Sequence, residues 1–168
     1  MRVSHQPIVD SLERTYELFG QLLDLLVDKK EFVVQDKLTE LTHALSKESR
    51  LLKRIAEEER TRAEAVKAYQ FTIKHFSREP LTLAGVAQTL TSFADKSAVL
   101  EWMEKLTSRA EEIRKLNETN QMLVQQALDF ANLSVDLLVG VQDEAVYQDP
   151  TAQTTYTPNR PGLYDFRA

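Results

Sequence analysis

The chain has no cysteine among its 168 residues. Disulfides and thiolate metal sites are therefore excluded, and the absence fits a reducing compartment. Proline is nearly as scarce: Pro7, Pro80, Pro150, Pro158 and Pro161 leave Ile8 to Glu79 and Leu81 to Asp149 without one. Glycine occurs only at Gly20, Gly85, Gly140 and Gly162. Two long stretches thus lack the residues that break helices, and four scattered glycines cannot build a phosphate-binding loop. Positive charge is in deficit, with 21 Lys and Arg against 26 Asp and Glu, a formal net charge of −5. A nucleic-acid binder would need the opposite balance, concentrated in a basic stripe. The N-terminus has no apolar core of signal-peptide length. No run approaches the roughly 18–20 uninterrupted apolar residues of a membrane span, and the longest candidate, around Leu133 to Val141, is broken by Asp136. These absences predict a soluble cytoplasmic protein with no membrane span and no nucleic-acid partner.

Hydrophobic residues make up 42% of the chain and charged residues 28%, the composition of a folded domain. In the first proline-free stretch Ile8, Leu12, Thr15, Phe19, Leu22 and Leu26 step by four and three, the spacing of one helix face. The spacing predicts a first helix ending near Val33 to Gln35. Asp36 would then cap a second helix carrying Leu38, Leu41, Leu45, Glu48, Leu52 and Ile55, then Val66, Tyr69, Ile73 and Phe76, until Pro80 ends it. Its middle, EEERTRAEA, reads as a solvated face with Glu58 and Arg62 paired at i,i+4. Thr82 can cap a short third helix striped by Leu83, Val86, Ala87 and Leu90. Ser92 or Asp95 then opens a last helix to about Gly140, roughly 65 Å long at ~1.5 Å per residue. The expected fold is all-α: an elongated antiparallel helical bundle or coiled-coil hairpin with long helices, one short helix and a flexible C-terminal tail. The expected division is a helical domain over 1–140 and a tail over 141–168 that carries Tyr147, Tyr156, Tyr164 and Phe166.

Catalytic chemistry is not expected. Glu40 and His43 form the Glu-x-x-His half-site used by di-iron bundles, but neither His5 nor His75 has a glutamate three residues before it. No metal or cofactor is called for. Trp102, near Val99, Met103 and Leu106, reads as core.

The unusual segment is LNETNQMLVQQALDFANLSVDLL, residues 116–138. One apolar register runs through Leu116, Asn120, Leu123, Ala127, Phe130, Ser134 and Leu137, and a second through Val124, Leu128, Ala131, Val135 and Leu138. One seam would suffice to dock a helix on its own bundle. The second could pack internally, could meet further copies of the chain in a structural coiled coil, or could receive a partner helix.

The same segment resembles the C-terminal helix of the FlgN family of bacterial flagellar export chaperones. The pattern is Leu116-Asn117-x-x-Asn120-x-x-Leu123, followed by Ala127-Leu128 and more apolar residues. Residues 28–55 are similar to that family's first helix, short break and second helix, with Lys30, Asp36, Leu38, Leu41 and Leu52 at recurring places. The family often ends on a tyrosine followed shortly by glycine. TYTPNRPG supplies Tyr156 and Gly162 with a longer gap holding two prolines. The resemblance implies a cytoplasmic chaperone that binds the amphipathic terminal segments of hook-associated (hook–filament junction) proteins. It would prevent their premature association and deliver them to the flagellar type III export apparatus. The implied partners are those substrates, the export gate and components of the export ATPase complex. The substrate contacts would come from Leu123, Leu128, Phe130, Leu133, Leu137 and Leu138. Tyr156 would dock on the export gate.

Overall fold

The structure, a computed structural model, describes residues 5–74 and 79–143. The described residues form four helices and no strand: α1 Gln6–Val34, α2 Leu38–Thr72, α3 Leu83–Thr89 and α4 Phe93–Asp143. The all-α bundle read from the sequence is the fold. Packing divides the described residues into two units, with the division after Asp129.

Helix α1 starts with Pro7 in its first turn, where a missing N–H costs no hydrogen bond. It ends in a Schellman motif rather than a simple break. The Lys37 N–H donates to the Phe32 carbonyl at 2.9 Å, and the Asp36 N–H donates to the Val33 carbonyl at 3.3 Å. Asp36 sits between them at φ 56°, in the left-handed region that aspartate tolerates better than most side chains. The expectation that Asp36 caps α2 is therefore corrected. Asp36 closes α1, Lys37 precedes α2, and no side chain caps α2.

The second correction concerns the end of α2. The helix stops at Thr72, and Lys74 turns out of it at φ 56°, so the chain leaves the helical path well before Pro80. Phe76, assigned to the α2 stripe from its spacing, lies outside the described residues. Two expected caps are present. Thr82 Oγ1 accepts from the Gly85 N–H at 3.1 Å, and Ser92 Oγ accepts from the Asp95 N–H at 3.4 Å. Helix α4 continues three residues past Gly140.

Within the first unit α1 and α2 run antiparallel, shown by cross-links between Arg14 and Glu58 and between Lys29 and Glu48. Helix α4 runs parallel to α1: Trp102 and Arg109 meet Tyr16, and Asn120 meets Leu26. The core has two clusters. One gathers Ile8, Leu12, Val66, Tyr69, Val86 and Leu106, so the short α3 seals one end of the helix pair with Val86. Gln70 holds the connection to α3 in place, donating to the Glu79 carbonyl and accepting from the Leu81 N–H. The other cluster joins Leu18, Leu22 and Leu26 of α1 to Ile55 of α2, with Ile113 and Leu116 of α4 against it.

The charge run in α2 is not wholly solvated. Glu58 is half-buried and turns to α1, where it receives both the Arg14 Nε–H at 3.1 Å and the Ser11 hydroxyl. The expected Glu58–Arg62 pair gives way to this contact. A carboxylate gains more from a guanidinium N–H shared between both its oxygens and a neighbouring hydroxyl than from one partner on an exposed helix face. Glu48, which falls in the apolar register of α2, is explained in the same way. It faces Lys29 Nζ at 2.8 Å, and both side chains are largely buried.

Candidate functional site

The site begins where the bundle contacts of α4 end. Val99 is fully buried and Leu106 nearly so, which seats the first part of α4 on the core. Trp102, read as core, is half-buried, with its ring edge-to-face on Tyr16 at 5.5 Å. Arg109 places its guanidinium carbon over the same Tyr16 ring, 3.5 Å from its centroid, and donates from Nη1 to the Tyr16 carbonyl at 2.8 Å. That approach is open because position 20 carries no side chain. A Cβ built on Gly20 would stand 2.7 Å from Arg109 Nη1.

One turn past Leu116 comes Asn120, which is 1% exposed. Its Nδ2 donates to the Leu26 carbonyl of α1 at 2.9 Å, while its Oδ1 is buried without a hydrogen-bond partner. Read from spacing, Asn120 was one member of an apolar register. In the structure it is a polar tie between two helices, and the sequence signal for it was an asparagine in an otherwise apolar stripe.

Leu123 and Val124 are half-buried. Beyond them the apolar side chains of α4 lie open. Leu128 is 53% exposed, Phe130 is 71% exposed, and Leu133, Leu137 and Leu138 fall between these values. Val135 and Val139 are exposed as well. Of the six residues expected to contact a substrate, five therefore lie at the surface, and Leu123 sits at the margin of the bundle. Both registers are uncovered past Val124, so neither is the internal seam there. Ser134 alone in that stretch is half-buried, with its hydroxyl donating to the Phe130 carbonyl of its own helix.

The polar residues of this stretch are few, and its charged ones are both acidic. Gln125, Asp129, Asn132 and Asp136 follow one another at three- and four-residue steps, and Gln125 Nε2 donates to Asp129 Oδ1 at 2.9 Å. No Lys or Arg occurs from Leu116 to Asn159. Within Phe93–Gly140 an 18-residue window reaches a mean hydropathy of 1.2, none of it buried, so α4 is long and apolar enough to cross a membrane by length and composition. Against that use stand Asp129 and Asp136, since a carboxylate at the bilayer centre costs about 2.5–3.5 kcal/mol.

Glu40 and His43 are both exposed on α2, and among the described residues no group of three His, Asp or Glu could hold a metal ion. Tyr156 lies outside the described residues, as do all of residues 144–168.

Residues 1–156 match the profile of the FlgN family, described as FlgN protein. A Bacillus subtilis (strain 168) protein called uncharacterized protein YvyG is 26% identical over 166 residues, covering 99% of this chain and all of that one. No solved structure matches.

Proposed function

The chain belongs to the FlgN family of flagellar export chaperones, and on that premise we propose that the exposed part of α4 is its cargo-binding surface. The family is one of chaperones, not of enzymes, and it serves flagellum biogenesis. The cargo is a hook-associated protein, bound in the cytoplasm by its amphipathic terminal segment. Such a segment is built to assemble in the filament junction, and before assembly its apolar stripe invites self-association. A chaperone helix that offers an apolar stripe of its own covers it reversibly. The complex is then delivered to the type III export apparatus, where the gate and the export ATPase complex receive it.

The observation that carries this reading is the exposure of Leu128, Phe130, Leu133, Leu137 and Leu138 on a helix. Burying a Leu or Phe side chain contributes roughly 1.5–3 kcal/mol. A micromolar complex corresponds to about 8 kcal/mol net, so burial of all five anchors is needed to reach that range once the costs of association are met. That strength suits a carrier that must release what it carries. The test is titration of the purified chain with a hook-associated protein. Leu133→Asp and Leu137→Asp should each weaken binding by about tenfold or more with helicity unchanged. Unchanged cargo affinity in both variants, together with loss of self-association, would instead assign the surface to a homo-oligomeric coiled coil.

A further inference from the structure

The exposed apolar residues of α4 do not share one face. At about 100° per residue, Phe130, Leu133 and Leu137 cluster on one side of the helix, and Leu128, Val135 and Val139 cluster on nearly the opposite side. Leu138 stands between the two sets on the broad apolar arc. All seven are exposed. The remaining arc, about a third of the circumference, carries Gln125, Asp129, Asn132 and Asp136. A neighbouring helix packs at 8–10 Å and covers little more than a third of its partner's surface. No single helix can reach both Phe130 and Leu128.

We infer that residues 122–139 of α4 are covered by two amphipathic helices supplied by one partner polypeptide, with Lys or Arg bordering their apolar stripes. The inference rests on the cargo-binding reading above and states what the cargo must bring. The acidic strip adjoins the outer edges of both apolar sets, and α4 has no basic residue from Leu116 to its end. Basic flanks on the incoming helices would therefore find Asp129 and Asp136 beside them, with no like charge opposing them. Further copies of the same helix could also fill two seams. Paired over residues 122–139, they would bring only additional carboxylates to one another, with no ion pair available between those segments. Charge thus favours a basic partner over a second copy of this chain.

The test uses the full chain and synthetic probes: a three-heptad helical peptide with a leucine stripe and lysine flanks, and a hairpin of two such helices. Glutamate-flanked versions serve as charge controls. The lysine hairpin should bind at least about a hundredfold more tightly than the single helix. Phe130→Asp on one side and Leu128→Asp on the other should each lower hairpin affinity by about tenfold or more. The glutamate hairpin should bind about tenfold more weakly than the lysine one at low salt, and the difference should shrink as salt rises. Equal affinity for single helix and hairpin, with only one of the two substitutions active, would overturn the inference in favour of a one-helix groove. Self-association through both sides that excludes the hairpin would overturn it in favour of a second copy. Preferential binding to phosphatidylcholine vesicles would overturn it in favour of a lipid surface, and equal binding of the two hairpins would remove the charge assignment. The same two variants titrated with a hook-associated protein separate the two levels. If neither matters, the cargo site itself is misplaced. If only one matters, the cargo site stands and the two-helix partner falls.

Discussion

Asn120 of α4 donates a 2.9 Å hydrogen bond to the main-chain carbonyl of Leu26, in the C-terminal part of α1. A helical carbonyl already accepts from the residue four further on, so the bond uses its second lone pair. It lets one side chain set the register of α4 on α1 without disturbing the ladder. Replacing Asn120 with aspartate removes the donor and puts a buried charge against a carbonyl oxygen. We expect Asn120→Asp to destabilise the fold by about 3 kcal/mol or more, read as a lower urea midpoint with unchanged slope.

Gly20 and Arg109 should be coupled. Alanine is favoured over glycine inside a helix by about 1 kcal/mol, yet a methyl group at position 20 displaces the Arg109 guanidinium from Tyr16. Gly20→Ala alone should therefore lie within about 1 kcal/mol of wild type. In an Arg109→Ala background the same change should stabilise by about 1 kcal/mol. Additive effects in this double-mutant cycle would show that the guanidinium accommodates the methyl at no cost.

Lys29 and Glu48 form a pair whose members are each largely out of water. Removing one leaves the other buried without its counter-charge. Lys29→Met should cost about 3 kcal/mol, and the double change Lys29→Met, Glu48→Leu should recover most of that loss. Chemical denaturation of the three variants would decide it.

Aspartate substitutions along α4 should divide by burial. Leu106→Asp, in the core cluster, should abolish or severely weaken the fold. Phe130→Asp, Leu133→Asp and Leu137→Asp, at exposed positions, should keep the melting temperature within a few degrees of wild type. Leu123→Asp, half-buried, should fall between. Unfolding of the three exposed variants would mean that their surface is covered in solution.

Tyr156 is proposed as the anchor for the export gate. Pro158 and Pro161 follow it and restrict the backbone, which lowers the ordering cost of binding. Removing such an anchor should cost about 2 kcal/mol, roughly thirtyfold in affinity. Tyr156→Ala should weaken binding to the gate's cytoplasmic domain and reduce motility, with cargo binding near wild type. Lost cargo binding at unchanged gate affinity would move the tail into the cargo site.

The helices were legible because proline and glycine are rare and leucine recurs at three- and four-residue steps. Thr82 and Ser92 were legible as caps because a hydroxyl before an apolar turn has a local partner. Asp36 was misread because an aspartate between two helices can close the first as well as open the second, and only the backbone φ decides. Glu58 was misread because its partner, Arg14, lies 44 residues away, beyond any periodic pattern; Glu48 stood on the right face, but its partner Lys29, 19 residues away, was hidden for the same reason. The paired registers of residues 116–138 were visible as pattern. Periodicity reports which residues share a side of a helix, but not whether anything lies against that side.

Trp102 gives the molecule a gauge of its own. It is the chain's single tryptophan, and it belongs to α4 while its ring rests against Tyr16 of α1. Separation of α4 from α1 would expose the indole to water and shift its emission to the red. A ligand engaging only residues 122–139 would leave that emission unchanged. Intrinsic fluorescence can thus tell occupation of the exposed helix from loosening of the bundle, in unlabelled protein and in the same cuvette.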